Sequence, residues 1–173
     1  MLLTPNEKMP AYTPALPMEV PVVDAVYVPP GRLLASRDGK PLTTIVSSGA
    51  AVCIWDAISG IGGMAHFLLP EAGTAPPATR FGDVALRALV DELVKLGAPE
   101  KRLRARVVGG SAPPIATTGG HLGDRNVEAA HTFLKARLIP VIENQVGGNS
   151  ARKVVFTPSS GATTVTRIAP QGH

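Results

Sequence analysis

Apolar residues occur in this chain as a few short unbroken runs and as two longer periodic segments. The run Ala50-Ala51-Val52-Cys53-Ile54-Trp55 has no polar position, and it lies between Ser47-Ser48-Gly49 and a second glycine-containing turn. It is too short for a typical helix, so it predicts a strand that is buried on both faces. Residues 61–69, which follow that turn, are predicted to form the neighbouring strand.

Two segments carry apolar residues at the spacing of an amphipathic helix. Residues 81–96 form the first, and Gly97 follows at the position where a helix commonly ends in a left-handed residue. The second begins at Asp124, and its apolar positions are Val127, Ala130, Leu134 and Leu138. Both segments are long enough to cover one face of a sheet.

Shorter apolar segments predict further strands at residues 20–28, 139–142, 153–156 and 163–168, with a turn at 157–161 joining the last two. Residues 102–108 alternate arginine with apolar side chains, which indicates a half-buried strand whose arginine face is a solvated edge. A hairpin-like excursion is expected around Asp38-Gly39-Lys40. Because strands outnumber helices, the predicted fold class is α/β, a layered sandwich of mixed sheets flanked by helices.

The first part of the chain differs from the rest in its proline content. Prolines at positions 5, 10, 14 and 17 each remove a backbone donor and bias the preceding residue away from a helix. Residues 1–19 are therefore predicted to form an extended arm outside the core. Residues 20–173 are expected to form a single domain, since a chain of 173 residues buries roughly 70% of the surface that its unfolded form exposes.

Composition excludes several classes of protein. Hydrophobic residues make up 45% of the chain and charged residues 17%, which is typical of a folded globular protein. A net charge of +4 with 4% aromatic residues does not indicate nucleic-acid binding. The chain has no apolar run near the ~20 residues of a membrane span and no signal-peptide pattern, and its lone cysteine indicates a reducing compartment. We therefore expect a cytoplasmic protein without membrane insertion.

The lone cysteine and the first histidine raise the question of nucleophilic catalysis. A thiol becomes a nucleophile when a nearby base raises its thiolate fraction, and His66 lies close to Cys53 in the sequence. The alternatives are that Cys53 is a small buried hydrophobe and that His66 is a hydrogen-bonded core residue. His121, His131 and His173 lack the spacing of a metal site, and the chain has no GxxxxGK[ST] phosphate-binding loop. No metal or cofactor is expected.

Several sequence blocks, taken together and in order, resemble one known family. The blocks are Thr43-Thr44, 51–56, 60–70, 80–85, 107–110, 122–128 and 147–154. They resemble CheD, the chemoreceptor glutamine deamidase of bacterial chemotaxis, over residues 20–168. The resemblance implies an α/β layered sandwich of the kind shared with deamidating bacterial toxins.

The resemblance also implies an activity and partners. CheD-type enzymes hydrolyse selected glutamine side-chain amides on methyl-accepting chemoreceptors to glutamate and ammonia. A cysteine thiolate attacks the amide, a histidine activates the thiol and protonates the departing ammonia, and a threonine positions the histidine. The reaction needs no cofactor. CheC-type phosphatases are further binding partners that the resemblance implies.

The family's catalytic block reads T-T-x-L-G-S-C-V-A-V-C, and its first cysteine is the nucleophile. The matching block of this chain reads T-T-I-V-S-S-G-A-A-V-C. The resemblance thus assigns Gly49 to the nucleophile position and Cys53 to the second, structural cysteine. It assigns His66 to the catalytic histidine and Thr43 to the threonine, or Thr44 if the register differs by one residue.

Without a thiol at position 49, two hypotheses are open. The first is an amidohydrolase that retains some activity through another nucleophile. The second is a non-catalytic CheD-like protein, a pseudoenzyme that docks to chemoreceptors or to a CheC-type phosphatase. Four extended residues separate Cys53 from position 49 by roughly 13 Å, beyond the ~3.2 Å reach of a base. Ser47 and Ser48 are nearer, but a serine hydroxyl needs a stronger base arrangement than a thiol. Loss of the nucleophile therefore favours the second hypothesis.

Overall fold

The computed structural model describes residues 24–113, 118 and 120–169. The predicted extended arm, residues 1–19, lies outside the described residues. The described elements are β1 (Val26–Tyr27), β2 (Arg32–Ser36), β3 (Leu42–Val46), β4 (Ala50–Asp56), β5 (Ile61–Phe67), α1 (Gly82–Leu96), β6 (Arg104–Gly109), α2 (Leu122–Ala136), β7 (Val141–Val146), β8 (Ala151–Phe156) and β9 (Thr163–Ile168), with a 3₁₀ turn at Glu100–Arg102.

The described strands form two mixed sheets. The four-stranded sheet has the order β1-β3-β8-β9, and the five-stranded sheet has the order β2-β5-β4-β6-β7. Each sheet contains one parallel pair, β1 with β3 and β6 with β7, and its other pairs are antiparallel. The chain passes from the first sheet to the second between β3 and β4, at Ser47-Ser48-Gly49. The predicted fold class, α/β with layered mixed sheets, is confirmed.

Strand β4 lies in the middle of the five-stranded sheet and is buried on both faces, as its unbroken apolar run predicts. Alternate residues, beginning with Ala50, join the core cluster between this sheet and the helices. The residues between them, Ala51, Cys53 and Trp55, join the cluster between the two sheets. Strand β5 pairs with β4 as predicted, and His66 lies opposite Ala51 in that pairing.

Both helices pack on the face of the five-stranded sheet that is turned away from the four-stranded sheet. The fully buried apolar residues of α1 are Ala85, Leu86, Leu89, Val90 and Leu93. The helix ends at Gly97, whose φ of 114° is left-handed, as predicted. Helix α2 begins at Leu122, slightly before the predicted start at Asp124.

Two predictions about peripheral segments are wrong. Strand β6 is not a solvated edge, because it lies between β4 and β7. Its Arg106 is half-buried and donates hydrogen bonds of 2.7 Å to Glu143 and to the carbonyl of Gly161. Residues around Asp38-Gly39-Lys40 do not close a hairpin, because β2 and β3 belong to different sheets. Alternation in a sequence shows which residues share a face but not what covers that face.

The other predicted strands are present with shifted bounds. Strands β8 and β9 pair in antiparallel register, as the turn between them predicts. Strand β7 extends the predicted segment 139–142 as far as Val146. The predicted strand at residues 20–28 is described only from Asp24, and within that part β1 covers Val26–Tyr27.

Candidate active site

His66 and Gly49 meet where the chain crosses between the two sheets. His66 lies on β5 and is 2% exposed. It alternates with Ala65 and Phe67, which pack toward the helices, so its ring points toward the four-stranded sheet. A Cβ atom built on Gly49, just before β4, would lie 3.2 Å from Nε2 of His66. The structure thus brings together these two of the three predicted site residues.

Thr44 determines which nitrogen of the His66 ring carries the proton. Its Oγ1 lies 2.9 Å from Nδ1 of His66 and 2.8 Å from the carbonyl oxygen of Val28. The hydroxyl has one proton, and it donates this proton to Val28 because a carbonyl oxygen can only accept. The hydroxyl oxygen therefore accepts a hydrogen bond from the Nδ1–H. In the neutral ring this leaves Nε2, the nitrogen beside Gly49, with a free lone pair.

Burial keeps the His66 ring neutral at physiological pH. It lowers the pKa of His66 from 6.5 to about 4, because the charged ring loses its solvation inside the protein. Together with the Thr44 hydrogen bond, this makes Nε2 an acceptor directed at residue 49. A donor at that position could hydrogen-bond to Nε2, while the same burial weakens the ring as a base.

The structure places Thr43 away from His66, which corrects the expectation that Thr43 contacts the ring. Thr43 is half-buried, and its Oγ1 donates a 2.8 Å hydrogen bond to the carbonyl of Val154 on β8. Its neighbour Thr44 is fully buried and faces the five-stranded sheet. Thr43 and Gly49 have the same parity, but the chain changes sheets between them, which interrupts the alternation of faces. The alternative register, with Thr44 beside the histidine, is the one observed.

Cys53 is enclosed between the two sheets and is 0% exposed. Burial raises the pKa of its thiol to about 12, so the sulfur is uncharged at neutral pH. The prediction of a buried, structural cysteine is confirmed. The nearer serines are engaged elsewhere or exposed: Ser47 Oγ lies 2.9 Å from Ser111 Oγ, and Ser48 is exposed. Within the described part of the chain, Thr44 is the hydrogen-bond partner of the His66 ring.

The backbone around Gly49 is tightly packed. Its carbonyl accepts a 2.7 Å hydrogen bond from the N–H of Gly110. Gly109 has a φ of 119°, and a Cβ atom there would lie 2.5 Å from the Gly49 carbonyl oxygen, so the close approach requires glycine. A Cβ atom on Gly49 would itself lie 2.5 Å from the carbonyl oxygen of Phe67. A side chain at residue 49 would therefore require the surrounding backbone to shift.

Sequence reasoning missed Asn126, a buried residue of α2 that contacts the same segment. Its Nδ2 donates hydrogen bonds of 2.9 Å to the carbonyl of Ser48 and 3.0 Å to the carbonyl of Leu68. A signal was available, because Asn126 shares the apolar stripe of the helix with Ala130 and Leu134. A single amide in such a stripe is unusual, since asparagine is mostly an exposed residue.

In residues 24–113, 118 and 120–169, no group of three or more His, Cys, Asp or Glu side chains is arranged to hold a metal ion. His131 bonds to Asn144 instead, with 2.6 Å between Nε2 and Oδ1. His173 lies outside the described residues. None of the helices that the structure describes has the length and apolar character needed to cross a membrane.

Comparison with known proteins identifies relatives of this chain. The CheD family model, described as CheD chemotactic sensory transduction, matches residues 68–167. A probable chemoreceptor glutamine deamidase CheD from Bordetella petrii is 36% identical over 153 residues, which cover 86% of this chain and 69% of the relative. One from Xanthomonas campestris pv. campestris (strain B100) is 39% identical over 146 residues, which cover 83% of this chain and 73% of the relative.

Among solved structures, the crystal structure of a Neisseria meningitidis protein of family DUF152 aligns with a TM-score of 0.46 and 13% identity. The alignment covers 67% of this chain and 53% of that protein, so the likeness is weak. The family match and the two relatives are far stronger, because the match spans more than half of the chain and the identities extend over most of it. The chain belongs to the CheD family.

Proposed function

We propose that this protein is a chemotaxis protein that binds methyl-accepting chemoreceptors and whose glutamine deamidase activity is impaired. The geometry at residue 49 carries the proposal. A Cβ atom there would lie 3.2 Å from Nε2 of His66, at the position where the CheD motif has its nucleophilic cysteine, but glycine supplies no sulfur. The relatives from Bordetella and Xanthomonas are named probable chemoreceptor glutamine deamidases, which supports chemoreceptors as the partner.

The proton-handling part of a CheD-type site is present in this chain. In a CheD-type reaction, the thiol gives its proton to the histidine and the sulfur attacks the carboxamide carbon. Ammonia then leaves with that proton, and water hydrolyses the thioester to glutamate. Thr44 accepts a hydrogen bond from the Nδ1–H of His66, which leaves the lone pair of Nε2 directed at residue 49, and burial keeps the ring uncharged. The chain therefore has the histidine of a CheD-type reaction in place. It has no sulfur at residue 49 to form the first covalent bond.

Cys53 does not replace the missing sulfur. It is enclosed between the sheets with a pKa of about 12, whereas an attacking thiol must be ionised and exposed to substrate. With the covalent route closed, substrate positioning is the remaining source of rate enhancement. Removing the nucleophile from such a unit costs on the order of 10⁴-fold or more in turnover.

Ammonia release tests the proposal. Purified protein is mixed with purified cytoplasmic fragments of methyl-accepting chemoreceptors, and ammonia is measured against a blank without protein. We expect no release above the blank, and no change in the His66→Ala variant. Robust release that His66→Ala abolishes would contradict the proposal, because it would show a working nucleophile elsewhere in the chain.

The proposed partners are tested by binding, which needs no thiol. We expect the protein to bind the same chemoreceptor fragments in isothermal titration calorimetry. A CheC-type phosphatase is the second proposed partner, and it is titrated in the same way. The cytoplasm is the proposed compartment, which the lone free cysteine supports. Failure to bind either partner would contradict the docking role.

A further inference from the structure

Asn126 joins two strand ends that carry the candidate active site. Both protons of its Nδ2 are donated, one to the carbonyl of Ser48 and one to the carbonyl of Leu68. Ser48 immediately precedes Gly49, and Leu68 follows shortly after His66. We infer that Asn126 is a positioning residue, which sets the distance between residue 49 and Nε2 of His66 by tying these two segments together.

The place of these hydrogen bonds in the sheet supports the inference. The pairing of β4 with β5 ends with Ala50 opposite Phe67. Beyond that pair the two segments of the chain are no longer paired in the described structure. The side-chain amide of Asn126, on α2, donates a hydrogen bond to each of them. Gly49 lies between the last paired residue, Ala50, and the residue that the amide holds, Ser48. The Asn126 side chain therefore links Ser48 to the segment that follows His66, while the N–H of Gly110 holds the Gly49 carbonyl at the end of β6.

The amide oxygen, Oδ1, indicates that packing alone does not explain why residue 126 is an asparagine. Asn126 is 0% exposed, and its Oδ1 has no hydrogen-bond partner among the described residues. Burying an unpaired acceptor is unfavourable. A flipped amide would place Oδ1 against two carbonyl oxygens, so the observed orientation is the one that the contacts permit. An apolar side chain, as at Ala130 and Leu134 on the same stripe, would avoid this penalty but could not hold the two carbonyls.

The inference rests on the proposed function, in that residue 49 is the nucleophile position. A Gly49→Cys protein makes the geometry measurable, because iodoacetamide alkylates the introduced thiol faster when His66 activates it. We define the enhancement due to His66 as the alkylation rate of Gly49→Cys divided by that of the double variant Gly49→Cys, His66→Ala. Enclosed Cys53 does not contribute in the folded protein. A misplacement of ~1 Å costs up to about 100-fold in such a pair.

Adding Asn126→Ala to both proteins is expected to reduce the enhancement due to His66 about tenfold or more. Leu134→Ala is the matched control, since Leu134 is fully buried on the same helix and donates to neither carbonyl. We expect it to destabilise the fold, because it leaves a cavity, and to leave the enhancement unchanged. Asn126→Asp keeps the shape of the side chain but has at most one donor, the O–H of the protonated carboxyl, so it cannot hold both carbonyls. It replaces Asn126→Ala if that variant does not fold.

The outcomes separate the two proposals. If His66 gives no enhancement even with Asn126 in place, then His66 does not activate a thiol at residue 49, and the part of the proposed function that makes residue 49 the nucleophile position fails. If the enhancement is present and survives both Asn126 variants, then the positioning role alone is overturned.

A measurement on the protein with Gly49 unchanged covers the case in which Gly49→Cys does not fold. A Cβ atom on Gly49 would lie 3.5 Å from Cδ2 of His66, so the α protons of Gly49 should give a nuclear Overhauser effect to the ring proton on that carbon. We expect this effect at the same intensity in the unaltered protein and in Leu134→Ala, and clearly weaker in Asn126→Ala and Asn126→Asp. An undiminished effect in the Asn126 variants would overturn the inference.

Discussion

His66 obtains its chemical state from residues on both sheets. Thr44, on the four-stranded sheet, accepts from its Nδ1–H, and burial between the sheets keeps the ring uncharged. The resemblance of the motifs indicated His66 and Gly49 directly, because each stands at a fixed place in a distinctive block. It assigned Thr43 as the threonine, with Thr44 as the alternative, and Thr44 is the one that contacts the ring. Asn126 was missed because the two carbonyl groups that it contacts are distant from it in sequence.

Folding stability should fall as the pH is lowered from about 6.5 to about 4, the unfolded and folded pKa values of His66. In this window the unfolded chain binds a proton that the folded chain excludes, so acidification favours unfolding. The shift is worth about 3 kcal/mol once both states are titrated. Urea denaturation at pH 7, 5 and 4 measures the loss, and His66→Gln should lose correspondingly less. An identical pH dependence in both proteins would contradict the buried neutral histidine.

Substitution of Gly49 should change both the stability of the fold and the release of ammonia. Gly49→Ala and Gly49→Cys each place a Cβ atom 2.5 Å from the Phe67 carbonyl oxygen, so the backbone must move. We expect each variant to lose about 1–3 kcal/mol of stability in urea denaturation, as is usual for overpacking. Only Gly49→Cys should release ammonia from chemoreceptor fragments above the Gly49→Ala level. Equal release by the two variants would mean that a thiol at residue 49 does not restore the reaction.

At the scale of single elements, hydrophobic pattern was most informative where burial is complete. Strand β4 and helix α1 were predicted closely, because an unbroken run and a 3.6-residue period each correspond to one kind of packing. Strand β6 was misinterpreted because its arginines resemble a solvated face. Arg106 instead lies 5.2 Å from the Trp55 ring and bonds to Glu143, contacts that alternation cannot indicate.

The end of β6 should be less tolerant of a side chain than the end of α1. Gly97 and Gly109 have similar φ values, 114° and 119°. A Cβ atom on Gly97 would have the Ile61 side chain as its nearest neighbour at 3.7 Å, whereas one on Gly109 would lie 2.5 Å from the Gly49 carbonyl oxygen. Gly97→Ala should cost about 1 kcal/mol, the conformational penalty alone. Gly109→Ala should cost clearly more in the same urea titration, and equal costs would argue against the clash.

At the scale of the whole molecule, the layer order follows from the two core clusters. One cluster lies between the helices and the five-stranded sheet, and the other lies between the two sheets. The fold class could be predicted by counting strands and helices. The order of strands could not, because periodicity shows which face of a strand is buried and not which strand lies beside it. The assignment of β2 and β3 to different sheets is the clearest example.

Labelling of Cys53 should report the separation of the two sheets. The thiol is 0% exposed in the cluster between them, so a thiol-reactive dye can reach it only when the sandwich opens. We expect slow labelling of the native protein and fast labelling in denaturing urea, followed by absorbance. Rapid labelling under native conditions would show that Cys53 is accessible and would reopen its candidacy as a nucleophile.

The enclosure of Cys53 also bears on how the protein responds to oxidants. Peroxide attacks exposed thiolates. An enzyme whose nucleophile is a thiolate is inactivated when peroxide oxidises that sulfur to a sulfenic and then a sulfinic acid. Cys53 is the lone cysteine of this chain, it is uncharged with a pKa of about 12, and residue 49 offers no sulfur. The folded protein therefore presents no thiolate to peroxide. Its proposed docking to chemoreceptors would continue under oxidative conditions that silence a thiol-dependent deamidase.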